Sequence, residues 1–195
     1  MLERDLRSLP ASRLQAVLKM YSVSPLALPL RGHSEWQRLD NRQIAFQLAG
    51  LGYPGFVHIK GKPVWNPQEL LVAALTKSNL ERRIVEALPW LVLTCSDMDW
   101  HWVVRECKVH DAQNRLGFVV TLARELAERK ENPAFDNLCR LEERLKNSLL
   151  AKTGTLCNEN MSAAEKKWLQ KHSTREARQW NILSDLSPEH LTHAA

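Results

Sequence analysis

Four residues with metal-ligating side chains, Cys95, His101, Cys107 and His110, fall within sixteen residues of one another. A zinc site needs its ligands to converge at about 2.0–2.3 Å and ordinarily carries one tight pair, Cys-x-x-Cys or two histidines separated by three residues. Neither spacing occurs here, so the four read as buried thiols and surface imidazoles, and no metal is assigned. Asp97 and Asp99 offer two neighbouring carboxylates of the kind used in acid–base chemistry. They stand directly before Trp100, where a helix start needs an acceptor for its free N–H groups, and capping is the simpler reading. Glu142 and Glu143 lie in an amphipathic pattern and read as solvated. No Gly-x-Ser-x-Gly elbow and no phosphate-cradling glycine loop is present. The sequence therefore assigns no catalytic residue and no cofactor, and a binding protein is expected rather than an enzyme.

Residues suited to nucleic acid crowd the front third. Gln37-Arg38-Leu39-Asp40-Asn41-Arg42-Gln43 is dense in the types that pair with base edges in the major groove. Arg38, Asn41, Arg42 and Gln43 are assigned to base edges, and Lys60 and Lys62 to phosphates. Charge points the same way: residues 1–75 hold nine Lys or Arg against five Asp or Glu, whereas residues 76–195 hold eighteen against seventeen. A surplus of cations favours a polyanionic partner, because phosphate neutralisation releases counterions. Seven tryptophans form the other concentration. Trp90, Trp100 and Trp102 flank one helix junction, and each indole reads either as core or as a docking anchor. Trp100 and Trp102, two apart on a helix, point about 200° apart, so they cannot both face one core unless the helix is sandwiched. They are the candidate protein-partner residues.

The elements that must position these residues follow from periodicity. Leucines at 2, 6, 9, 14 and 18 predict a first helix broken near Pro10. Ser22 to Gly32, with two prolines, is a loop. Ser34 to Ala49 is helical, with Phe46 among its buried positions and a break at Asp40-Asn41. Three glycines and a proline between Gly50 and Gly55 are the strongest punctuation in the chain. Phe56 to Trp65, aromatic and β-branched on both sides of Lys60-Gly61-Lys62, reads as a β-hairpin. Asn66-Pro67 then opens a run of helices: to Leu75, Asn79 to Val92 around Pro89, Trp100 to Val109, Ala112 to Lys130 and Pro133 to Leu150. A loop covers Lys152 to Asn160. Ser162 and Glu165 match a capping box for a helix to His172, and another, opened by Ser173 or Thr174, runs to Leu183. Gly117, in mid-helix, costs about 1 kcal/mol against alanine and implies a close approach by a neighbouring helix.

The segment Gly52-Tyr53-Pro54-Gly55-Phe56-Val57-His58-Ile59-Lys60-Gly61 resembles the wing of AbiEi-type antitoxins, and Asn114-Arg115-Leu116-Gly117-Phe118-Val119 resembles their Arg-Leu-Gly-aromatic helix. The resemblance implies a winged-helix transcriptional repressor whose helical half neutralises a toxin. The expected protein is mainly α, with a winged-helix-like DNA-binding part over residues 1–76, a helical interaction domain over 77–183 and a flexible tail over 184–195. Its expected partners are double-stranded DNA, bound as a homodimer, and a toxin or other protein. A helical adaptor that docks through Trp100 and Trp102 is the alternative. With 44% apolar and 25% charged residues, the chain has the composition of a folded domain. The longest apolar run, Ala87 to Thr94, is too short to cross a bilayer. Met1 to Asp5 alternates charge, so no membrane association and a cytoplasmic location are expected.

Overall fold

A computed structural model describes residues 11–31, 33–62 and 65–191. Its helices are α1 (Ala11–Met20), α2 (His33–Trp36), α3 (Asn41–Leu51), α4 (Pro67–Leu75), α5 (Arg82–Thr94), α6 (Trp100–Val109), α7 (Gln113–Arg129), α8 (Phe135–Lys146), α9 (Ala163–His172) and α10 (Arg175–Gln179). Two short strands, β1 (Gly154–Thr155) and β2 (Ile182–Leu183), complete it. The chain is mainly helical, as its periodicity predicts. Among the described residues no helix is long and apolar enough to cross a membrane.

Two helices set the architecture because they are buried over whole turns. All nine residues of α4 are buried, and α7 is buried without interruption from Leu116 to Ala123. A helix of that kind has to be covered all round. α2, α3, α5, α6 and the single turn Pro25–Ala27 cover α4, while α5, α6, α8, α10, β2 and the turn Pro188–His190 cover α7. α5 and α6 touch both and so join the two layers. One hydrophobic cluster runs from Trp36 to Leu191, across the boundary expected near residue 76.

Local signals account for half of the ten helix starts among the described residues. Asn66 accepts the Gln68 N–H ahead of Pro67, Asp99 accepts the Trp102 N–H at 3.0 Å, and Ser162 with Glu165 forms the reciprocal box that opens α9. The helix expected over Ser34 to Ala49 is indeed divided, α3 starting behind an Asp40–Gln43 capping box. The part of the first helix before residue 11 lies outside the described residues.

Four expectations are corrected. The hairpin over Phe56 to Trp65 is not formed in its described part, where Pro54–Phe56 is a 3-10 turn followed by turns and coil. Tyr53 and Phe56 are buried and Ile59 packs against the core, whereas Val57 is 87% exposed. That spacing of three suits a tight turn and breaks the alternation a strand requires. Tyr53 packs on Phe56 and Trp90 with ring centroids 5.4 and 5.2 Å away, and burial first, then Glu86, pushes its phenol up to about 12. Second, the final helix stops at Gln179. Asn181 takes a left-handed conformation, and Ile182–Leu183 pairs in parallel with Gly154–Thr155 inside the expected loop. Third, Ser184 to Leu191 is seated rather than frayed, with Leu186 and Leu191 in the core. Fourth, Glu142 is buried, accepting from Arg124 Nε at 2.7 Å and Gln179 Nε2 at 3.1 Å, while Glu143 alone stays exposed.

The cysteines are free thiols. Among the described residues no cluster of His, Cys, Asp and Glu is arranged to hold a metal. Cys95, Cys107 and Cys157 are buried; burial, reinforced by Asp97, pushes Cys95 up to about 12, and burial carries Cys157 up to about 11. Since the thiolate is the reactive form, native protein at pH 8 is expected to release colour from Ellman's reagent at Cys139 alone, with the other three reacting only after unfolding. A second fast thiol in native protein would contradict this packing.

Candidate nucleic-acid interface

The six residues assigned to DNA fall on α3, on the turn before it and on the coil after it. Lys77 holds that turn by donating its ammonium to the Gln37 carbonyl at 2.5 Å, and Arg38 projects from it into solvent. Asp40 then caps α3: its carboxylate accepts the Gln43 N–H at 2.7 Å, and the Gln43 side-chain oxygen accepts the Asp40 N–H at 2.9 Å. The Gln43 oxygen is thereby committed to the helix start, and a bidentate donor–acceptor grip on adenine is closed to it. Asn41 is half-buried. Of the four residues assigned to base edges, Arg38 and Arg42 keep their full donor sets exposed.

Lys60 and Lys62 come to α3 by a different route from a wing. Gly61 lies so close to the end of α3 that a Cβ there would come 2.5 Å from the Gly50 nitrogen and 2.9 Å from the Ala49 Cβ, and closer still to the Phe46 carbonyl. Only glycine allows this approach. It sets the two exposed lysines on either side of a contact with the helix that carries Arg42. One turn after Arg42, Phe46 is 37% exposed rather than buried as its periodicity suggests. Arg42 and Phe46 line a shallow hollow of about 490 Å³ with Leu39, Gln43 and Trp65. Trp65 is held there by its backbone N–H, which donates to the buried Gln47 side-chain oxygen at 3.2 Å, and the Arg31 guanidinium lies 4.5 Å from its ring centre. The exposed apolar pair Phe46 and Val57 escaped the sequence reading. The i, i+4 spacing of Arg42 and Phe46 was the available signal, since it puts an aromatic on the face of a cation.

Electrostatically the surface is open. Among the described residues, Arg38, Arg42, Lys60 and Lys62 make no ion pair. Among the described residues, six of the other twelve arginines are in ion pairs, Arg115, Arg124 and Arg129 among them.

Trp100 and Trp102 are both half-buried against the core, and the Trp100 indole donates to the Ser96 carbonyl at 2.9 Å. Each therefore serves packing with much of its ring. Both segments that resemble the antitoxin family have structural work to do. Gly52 to Gly61 is the tight-turn connection just described, and Arg115 and Gly117 lie at interior joints of the fold. No family model, no curated protein and no solved structure matches this chain.

Proposed function

We propose that this protein binds double-stranded DNA through the surface made by α3 and the coil after it, chiefly by contacts to phosphate. The observation that carries this reading is the joint at Gly61, which gathers exposed, unpaired lysines onto the helix that bears Arg42. Point charges of that kind grip a backbone without reading bases. Base discrimination is left to Arg38 and Arg42, whose guanidinium forks match guanine edges. A regulatory role of the antitoxin kind would rest on those two residues.

The test is fluorescence anisotropy with a labelled 20-base-pair duplex of random sequence, read at several salt concentrations. Four neutralised phosphates give a slope of log K on log salt of about −3 to −4. The pair Lys60→Glu/Lys62→Glu is expected to weaken binding at low salt about ten- to a hundredfold and to reduce the slope by about 2. Both lysines are exposed, so melting temperature should stay constant. Affinity that ignores salt, or survives the double reversal, would overturn the proposal.

A further inference from the structure

We infer that the outer face of α9 is a second site, which binds single-stranded nucleic acid by stacking an unpaired base on Trp168. α9 reads AAEKKWLQKH, and Leu169 is its one buried residue. The helix rests on β2 and leaves the rest of its surface to solvent. Trp168 is 51% exposed there, the most exposed indole among the described residues. One face of the indole is already covered: the His172 ring lies 4.3 Å away and 13° from parallel. The imidazole is itself fixed, its Nδ1 standing 2.8 Å from the Trp168 carbonyl. The pair is thus ordered before any ligand arrives, with the free indole face turned outward.

The charges beside this face are predominantly positive. Lys167 and Lys171, at i−1 and i+3 from Trp168, flank the indole, and Lys166 follows the helix toward a polar cleft that it lines. None of the three is in an ion pair among the described residues. The one carboxylate in the helix, Glu165, stands one turn before Trp168 and is engaged at the helix start, where it accepts the Ser162 N–H at 2.7 Å. Lysine and histidine in a last turn are also favoured by the helix dipole, but the dipole gives no reason to expose an indole. An ordered aromatic face between lysines matches a chain whose bases carry π-faces and whose backbone carries phosphates.

Duplex DNA does not fit, because its base faces are hidden in the stack. Insertion into a membrane does not fit either, since it needs an apolar face several residues wide, and α9 shows only alanines beside Trp168. This site stands apart from the α3 surface and does not depend on it.

The full-length protein is titrated against a fluorescein-labelled 15-mer of deoxythymidine, a labelled duplex and vesicles of phosphatidylserine. Trp168→Ala is expected to lower single-strand affinity about ten- to a hundredfold, with Trp168→Phe intermediate, His172→Ala weaker by a few-fold and duplex affinity unchanged. Lys167→Glu/Lys171→Glu should flatten the salt slope for the single strand by about 1.4. Because these side chains are exposed, melting temperatures should match the wild type, and single-strand loss without a melting shift supports the site. Equal single-strand affinity in Trp168→Ala and wild type overturns it. So does binding to vesicles with none to the 15-mer, or a loss of single-strand and duplex binding together that follows only Lys60→Glu/Lys62→Glu.

Discussion

Gly117→Ala is expected to lower the melting temperature by about 3–8 °C, the opposite of what helix propensity alone predicts. Replacing a mid-helix glycine by alanine ordinarily stabilises by about 1 kcal/mol. Here the position lies under Trp180, whose ring is 1% exposed and whose indole N–H is anchored on the Thr121 hydroxyl at 2.8 Å. A Cβ on Gly117 would stand 2.6 Å from Trp180 Cδ2 and nearer still to the Cε3 and Cζ3 edge. The ring cannot retreat without giving up its hydrogen bond and the packing of α10 on α7. Overfilling a rigid core costs about 1–3 kcal/mol, which outweighs the propensity gain, and Gly117→Leu should prevent folding or cost more than that. A mutant cycle makes the argument sharp. Trp180→Ala should cost about 3–5 kcal/mol by emptying the site. In that background Gly117→Ala should become stabilising, because the clash is gone and only the helical preference remains. If the alanine has the same sign in both backgrounds, the two residues do not press on each other.

The glycine also shows where sequence reasoning stops. A close approach at Gly117 was legible, because nothing else explains glycine in a buried helix. The approaching group was not: it is an indole from sixty-three residues further on, presented by a five-residue helix that ends where a two-residue parallel pairing begins. Such pairings carry no periodicity of their own. Caps were legible, at Asn66, Asp99 and Ser162, because they are local and depend on one side chain and a neighbouring N–H, whereas Asp40 showed only as a break. Glu142 was misread for the converse reason, since its burial is decided by Arg124 and Gln179 on other helices. The hairpin failed on period. Residues 53, 56 and 59 repeat every three, and the β-branched and aromatic content around them outweighed that spacing in the reading. Of the candidate interface, the cations were legible by type and position. Their union through Gly61 was not, since a glycine between two lysines looks like a turn whether or not a helix end lies against it.

Arg115→Met is expected to cost about 2–4 kcal/mol and to loosen one particular segment before the rest. From the first turn of α7, Arg115 donates to the Leu75 and Lys77 carbonyls at the end of α4 and to the Thr155 carbonyl, each at 2.9 Å. Its fourth bond is an ion pair with Glu159. A helix end leaves its last carbonyls without partners, and a cation there satisfies them and opposes the dipole. Methionine keeps the stem and removes every donor, so three partly buried carbonyls each lose a charged donor at once, although the Thr155 carbonyl keeps the Cys157 N–H at 3.0 Å. The Glu159 pair contributes far less, because that carboxylate is 56% exposed and exposed pairs contribute about 0–1 kcal/mol. Glu159→Gln should therefore be nearly silent, and moderate salt should leave the role of Arg115 intact. Lysine cannot replace it, since one ammonium cannot reach the carbonyl acceptors that the planar fork serves both at the end of α4 and at Thr155. The segment at risk is the one stitched to the connection between α4 and α5 through Leu80 N–H to Cys157 O at 2.8 Å and Glu159 N–H to Ser78 O at 3.0 Å. Amide exchange at Leu80, Gly154 and Glu159 should accelerate in Arg115→Met under conditions where α7 amides remain protected. Should Glu159→Gln destabilise as much as Arg115→Met, the ion pair and not the capped helix end would be what holds this joint.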